Sequence, residues 1–362
     1  MGLWDKRDDM VVHEVDPYNA EPPRSALAQG VLTPADSFYS RNHGPIPLVD
    51  GHTWRLTVDG LVEHELSLSL AELQQRFEPR TLVATLQCAG NRRAGLIAVR
   101  DIPGEHPWGP GATSTAEWTG VALADVLAAA GMGSDAQHVA FAAPDVSELT
   151  DPAQPYGGSI GVRKAFGVEV LLAWAMNGQP LPPAHGAPVR VVVPGYIGAR
   201  SVKWVDRVTA QRGPSDNYFQ TTAYRLLPAQ ADPDVAGPGG GLSLGSVALN
   251  ADFLRPDDDA TVTAGPTEVT GYAFAGDERG IARVDVSVDG GHSWVQADLD
   301  EQVSPWAWRH WCTTLDLPVG DVEVTARAWD TSAAAQPESP EHLWNPKGYV
   351  NNSWAHIHLT VR

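Results

Sequence analysis

Apolar and polar positions change rhythm twice along the chain. Residues 53–60 alternate and predict a strand that stops at Asp59-Gly60. Ser69 and Glu72 have capping-box spacing, so a short helix is expected to run through Phe77. Residues 82–86 predict a strand leading to Cys88. Leu123, Val126, Leu127 and Ala130 recur at helical spacing and predict a helix over 121–130, stopped by Gly131. A short strand over 139–142 follows, then an apolar run over 168–176 before an Asn177-Gly178 turn. A fully apolar strand over 189–193 ends at Pro194-Gly195. Helices and strands interleave without a regular βαβ rhythm, which favours a mixed α+β domain over a doubly wound sheet.

The first 50 residues are rich in proline, asparagine and charge and read as an extended arm. It ends in Phe38-Tyr39-Ser40-Arg41-Asn42-His43-Gly44-Pro45. A second change follows Tyr224. Pro228, Pro233, Pro238 and Gly239-Gly240-Gly241 mark a boundary. The expected division is a catalytic domain over 1–230, a linker over 231–244 and a second domain over 245–362. Beyond the linker the pattern is all β. Val284, Val286 and Val288 alternate with Asp285, Ser287 and Asp289, and Asp289-Gly290-Gly291 then leads into His292-Ser293-Trp294-Val295, a hairpin signal. Val322, Val324, Ala326 and Ala328 form another alternating run, as do Ala355, Ile357, Leu359 and Val361. Such runs predict an immunoglobulin-like sandwich that lacks the paired cysteines of antibody domains.

Composition narrows the class. The 362 residues are 43% hydrophobic and 19% charged, which is globular rather than disordered. The formal net charge of −19 argues against nucleic acid or an anionic membrane surface as partner. Residues 1–12 contain no apolar signal core, and no stretch approaches a membrane span, so a cytoplasmic protein is expected. Two cysteines make no disulfide framework; Cys312, between Trp311 and Thr313, reads as a small buried hydrophobe. Trp306, Trp308 and Trp311 read as core and interface aromatics. His356 and His358 share one face of a strand and read as surface residues rather than metal ligands.

The candidate chemistry centres on Thr85-Leu86-Gln87-Cys88-Ala89-Gly90-Asn91-Arg92-Arg93. A thiol flanked by guanidinium groups is expected to ionise easily. A thiolate is either a nucleophile or a soft metal ligand. The run supplies no histidine to serve a cysteine hydrolase, but its arginines suit fork-like binding of oxyanions. His185, Arg190, Arg200 and Lys203 are further cations near glycine-rich turns, where backbone N–H groups also favour anions. The bland alternative for residues 185–203 is a strand followed by a basic turn. For Tyr224 it is a boundary tyrosine packed on the linker.

These motifs together resemble the sulfite oxidase family. The resemblance runs from Arg41-Asn42-His43 through the Cys88 run, Asn177-Gly178-Gln179-Pro180-Leu181-Pro182 with His185-Gly186, Pro188-Val189-Arg190-Val191-Val192-Val193-Pro194-Gly195 and Gly198-Ala199-Arg200-Ser201-Val202-Lys203-Trp204. It continues into the sandwich, through Gly290-Gly291, Trp306-Ala307-Trp308-Arg309 and Trp344-Asn345.

The resemblance implies an α+β molybdopterin-binding domain followed by an immunoglobulin-like dimerisation domain, hence a homodimer. It implies oxidation of sulfite to sulfate by oxygen transfer at a molybdenum centre ligated by Cys88. The molybdenum–molybdopterin cofactor would be held by Tyr39, Ser40, Arg41, Asn42, His43, Asp145, His185, Arg190, Arg200, Ser201, Val202 and Lys203. Arg41, Arg93, Trp108 and Tyr224 would surround the substrate. Lys347 stands where animal members carry an anion-binding arginine; it keeps the charge and loses the fork. Because of that departure, nitrate or sulfoxide reduction on the same scaffold is the second expectation, and a cofactor-free interaction protein the third. The residues before Arg41 are too few for the haem domain of the vertebrate enzyme, and no Cys-x-x-Cys-His motif occurs. No haem is therefore expected, and electrons would pass to an external acceptor, oxygen or a separate redox protein.

Overall fold

The computed structural model describes residues 2–362. Two five-stranded sheets build the first domain. One is wholly antiparallel, in the order Gln179–Pro180, Leu171–Met176, Thr113–Ala122, Pro79–Gln87, with Arg190–Val192 also pairing with Leu171–Met176. The other runs Leu66–Ser69, Arg55–Gly60, Arg207–Gln211, His138–Ser147, Gln154–Gly161, and only Arg55–Gly60 with Arg207–Gln211 is parallel. This is the mixed α+β arrangement that the interleaved pattern predicts.

Local signals account for the elements between the sheets. Ser69 and Glu72 form the capping box of the helix Leu70–Arg76: Glu72 N donates to Ser69 Oγ at 3.2 Å, and Ser69 N donates to Glu72 Oε2 at 2.8 Å. The next predicted helix is Leu123–Ala129, which buries Leu123, Val126 and Leu127. Val121 and Ala122 end the preceding strand instead, because Val121 pairs with Leu172. Asn177 and Gly178 take φ of 50° and 72°, the left-handed pair of a tight hairpin turn. The strand expected over 139–142 extends over His138–Ser147.

The N-terminal arm is more structured than its composition suggests. Val11–Glu14 and Asn19–Glu21 form a hairpin, and Arg24–Leu27 a helical turn. Long-range bonds to backbone groups hold it. The Glu21 carboxylate accepts from Gly109 N at 2.6 Å and Gly111 N at 2.9 Å, and Lys6 is 1% exposed.

The second domain is a sandwich. One sheet runs Asn250–Arg255, Gly265–Phe274, Arg309–Leu317, Asp298–Leu299. The other runs Ala260–Val262, Ala355–Val361, Gly320–Asp330, Ile281–Ser287, Val295–Gln296. The predicted hairpin pairs Ile281–Ser287 with Val295–Gln296, with Gly290 and Gly291 at positive φ. Cys312 is only half-buried, so it is not the core residue its neighbours suggested.

Tryptophans and one arginine join the domains. Thr85 N donates to Trp306 O at 2.9 Å, Trp308 N to Thr85 Oγ1 at 2.7 Å, and Trp308 Nε1 to Val31 O at 2.9 Å. Arg92, buried, pairs with Asp252 at 2.8 Å and donates to the carbonyls of Ser353 at 2.7 Å and Trp354 at 2.9 Å. Among the described residues no helix is long and apolar enough to cross a membrane.

Candidate active site

Cys88 is the first residue past the strand Pro79–Gln87. Its N–H donates to Ala112 O at 2.9 Å, which fixes where the chain leaves the sheet. The following turn holds Arg92 at φ 63°, a left-handed conformation that costs a non-glycine residue about 1–3 kcal/mol. The Arg92 contacts just described, with Asn351 Nδ2 donating to Arg92 O at 2.8 Å, hold it there.

Cys88 lines a cavity with Tyr39, Arg41, Asn42, His43, Asp145, Tyr156, His185, Arg190, Ser201, Lys203 and Tyr224. Segments far apart in sequence converge here: the end of the arm, the strand His138–Ser147, the turn Pro183–His185 and the residues after Gly198–Arg200. In a chain of net charge −19, Arg41, Arg190 and Lys203 face this space, with Asp145 the only carboxylate among the described residues that line it.

Burial dominates the electrostatics. It pushes the Cys88 thiol up, against the pull of Arg93 and then Arg41. The flanking arginines are expected to ionise this thiol, but desolvation outweighs their pull. Burial lowers Arg190 to about 10 and Lys203 well below the usual lysine value, the latter helped by Arg190. His185 is held well below its ordinary value by burial and then by Lys6; His43 is held there by burial and then by Arg41. Asp145 is raised by burial to about 7. Repelling cations in a desolvated cavity are what a bound anion would relieve.

The hydrogen bonds set each side chain's aim. Arg190 spans His185 O and Ser201 O, each at 3.0 Å, and its guanidinium lies over Trp118. Lys203 donates to Asn42 Oδ1 and to Ala184 O. Asn42 N donates to Asn19 Oδ1 at 2.7 Å. Tyr224 Oη lies 2.8 Å from His43 Nε2. Ser201 Oγ accepts from Val193 N at 3.0 Å.

Other predicted residues lie off this wall. Arg200 turns away and donates to Leu244 O at 3.0 and 2.9 Å. Val202 is buried and gives its carbonyl to Val191 N. Ser40 is buried, and its Oγ has no hydrogen-bond partner among the described residues. Trp108 is fully buried in the core cluster that contains Cys88, packed 4.5 Å from His13. Arg93 is committed to the protein: Nε donates to Lys347 O at 3.1 Å and Gly348 O at 3.2 Å, and NH1 contacts His106 O and Glu105, each at 3.1 Å. It acts on Cys88 as a nearby charge rather than as an open fork. Lys347 lines an outer vestibule with Arg41, Glu105 and Tyr349, its Nζ 3.8 Å from Glu105. Arg41, Asn42 and His43 line both chambers.

Sequence reasoning missed Tyr156, which stacks on His43 at 4.9 Å and donates to Ala199 O at 2.8 Å. It also missed Glu105, shared by Arg93 and Lys347, and Lys6, which lies 2.6 Å from His185. None carries a local signal, since each acts through contacts remote in sequence.

The cavity suits a cofactor with an anionic end and a soft metal. It offers cations, a thiol and a buried acceptor, Asp145 Oδ1, that has no hydrogen-bond partner among the described residues. The family profile for the "Oxidoreductase molybdopterin binding domain" matches residues 43–219, and that for the "Mo-co oxidoreductase dimerisation domain" matches 246–362. The class is thus a molybdopterin-binding oxidoreductase domain joined to a dimerisation domain. The chain is 41% identical over 356 residues to mitochondrial sulfite oxidase of Mus musculus, covering 95% of this chain and 64% of that one. It is 36% identical over 377 residues to sulfite oxidase of Arabidopsis thaliana, covering 98% of this chain and 95% of that one. The solved sulfane dehydrogenase SoxCD from Paracoccus pantotrophus superposes with a TM-score of 0.81 at 26% identity, over 97% of this chain and 86% of that one. The chain belongs to the sulfite oxidase family. It spans just under two thirds of the length of the mouse relative.

Proposed function

We propose that the protein oxidises sulfite to sulfate at a molybdenum–molybdopterin centre held in the Cys88 cavity. The observation that carries this is the meeting of one buried thiol with a cluster of cations in an otherwise acidic protein. When bound, the cofactor supplies a molybdenum centre that exchanges an oxygen atom and takes up two electrons.

The chain's own residues do the rest. Cys88, as the thiolate, would be the protein's soft ligand to the metal. Arg190, Lys203, His185, Ser201, Asn42 and Asp145 would hold the pterin through donors and acceptors that burial has stripped of water. Arg41, on the boundary of the two chambers, binds the substrate oxyanion as it passes inward. Lys347 and Arg93, both tempered by Glu105, set the charge along the approach. His43 stays neutral. With its proton on Nε2 it donates to Tyr224 Oη, which frees the phenol proton for an oxyanion beside Cys88. Burial keeps that phenol protonated, with Arg41 opposing. Trp108 supports the cysteine loop from within the core, and Ser40, Arg200 and Val202 shape the cofactor's surroundings.

The overall change is sulfite plus water to sulfate, two protons and two electrons. The electrons leave to an external acceptor, oxygen or a separate redox protein. The assembly is a cytoplasmic homodimer joined through the sandwich, with domain limits near 230 and 245.

Purified protein from a host that makes the cofactor tests this through elemental analysis and sulfite-dependent reduction of ferricyanide. Stoichiometric molybdenum with sulfite turnover is expected. Absence of molybdenum sinks the reading, and turnover of nitrate but not sulfite moves the reaction to reduction.

A further inference from the structure

Lys6 lies outside every motif, yet it is 1% exposed. Its Nζ is 2.6 Å from Ala35 O, 2.7 Å from Phe38 O and 2.6 Å from His185 Nε2. Among the described residues no carboxylate forms an ion pair with it; Asp36 acts only as a more distant charge. A buried ammonium without a carboxylate is costly unless another anion compensates. An ammonium has three N–H donors and no acceptor. Two are taken by carbonyls, and the third points at His185 Nε2; that nitrogen also lies 3.3 Å from Ala35 O, but the contact with the ammonium is far shorter and requires a lone pair there.

That fixes the imidazole. With Nε2 accepting, the ring proton sits on Nδ1. His185 lines the Cys88 cavity, and no described residue hydrogen-bonds to its Nδ1. Phe38 meets the ring edge-on at 5.2 Å and limits its rotation. One imidazole thus separates the Lys6 charge from the cavity.

We propose that Lys6 is a positioning residue for the cofactor: it locks His185 as the Nδ1–H tautomer, which donates to an anionic group of the bound pterin, and its charge completes the site's complement to that anion. This rests on the reading that the cavity holds the molybdenum cofactor. The nearly isosteric Lys6→Met removes donors and charge and leaves an apolar side chain in the same slot.

Two readouts test it on the full chain. Pterin released on denaturation, measured by its fluorescence, should fall about tenfold per chain in Lys6→Met, the weight of one charge-assisted hydrogen bond. Nitrogen-15 spectra of the loaded parent, with His185 assigned by its loss in His185→Gln, should show the Nδ1–H tautomer below the value of about 7 to which burial lowers Lys6. A folded Lys6→Met that keeps its full pterin overturns the proposal, as does an Nε2–H imidazole in the loaded parent. The parent spectrum decides if Lys6→Met does not fold. A parent that carries no pterin brings down the reading of the cavity itself, whereas a loaded parent with the wrong tautomer brings down the role of Lys6 alone.

Discussion

Tyr224 Oη and His43 Nε2 lie 2.8 Å apart on the wall that Cys88 shares, although the residues are 181 positions apart in the chain. Tyr156 stacks on the His43 ring at 4.9 Å and Tyr224 meets it edge-on at 5.6 Å, so both tyrosines pack against the imidazole. The pair offers the cavity a neutral donor beside the sulfur. Tyr224→Phe keeps the ring packing and removes the hydroxyl. Steady-state kinetics should show kcat/KM for sulfite lower by about tenfold, the weight of one hydrogen bond to a charged group. Unchanged kinetics would place the reacting oxyanion away from Tyr224.

Cys88→Ser replaces a soft ligand with a hard one in a site with many other polar contacts. Sulfite turnover should vanish while pterin content and the thermal midpoint stay near those of the parent. Retained sulfite oxidation would end the assignment of Cys88 as metal ligand.

Arg41 and Lys347 should separate in their effects. Arg41 lines both chambers, and Lys347 only the outer one, where Glu105 already offsets its charge. Arg41→Gln should raise KM for sulfite by about tenfold or more, and Lys347→Ala by only a few-fold, the latter effect fading with added salt. Equal effects would mean that the anion is bound in the vestibule. The fork restored by Lys347→Arg should raise the ratio of sulfite to nitrate efficiency if the vestibule screens anions by shape.

Asp145 carries a pH signature. Burial raises its carboxyl from the usual 3.8 to about 7 against the opposing pull of Lys203. The folded chain therefore holds a proton there that the unfolded chain has released between those values. The associated stability is fully present below the ordinary carboxylate range and is lost as pH rises through about 7. In cofactor-free protein, Asp145→Asn should flatten the fall of the unfolding midpoint across that window. Parallel midpoint-versus-pH curves for parent and variant would show that Asp145 is ionised throughout.

The features legible in the sequence were those with a local signature. The capping box of Ser69 and Glu72, the helix carrying Leu123, Val126 and Leu127, and the Asn177-Gly178 turn each follow from residues within one or two turns of chain. The strand into Cys88 was legible for the same reason. Arg93 shows where local reading stops. Beside the cysteine it looks like an open anion fork, but the carbonyls of Lys347 and Gly348, about 255 positions away, take its Nε–H. Asp285 shows the same limit in the sandwich. Its place in an alternating strand suggests a solvated face, yet it is fully buried between Arg283 and Arg327. The arm was the least legible part, because Lys6, Asn19 and Glu21 work through single contacts to distant atoms rather than through any periodic pattern.

Through Asp252 and the carbonyls of Ser353 and Trp354, which hold Arg92, the sandwich reaches into the catalytic domain. The backbone bend just past Cys88 is held in its unfavourable conformation from across the domain boundary. The sulfur's position is thus partly encoded in residues beyond 250. A chimaera that kept every cavity residue but took its sandwich from a distant donor would inherit the pocket and lose the brace. Exchange of domains between such enzymes is therefore constrained at the Asp252 carboxylate and at the backbone path that presents the carbonyls of residues 353 and 354 to Arg92.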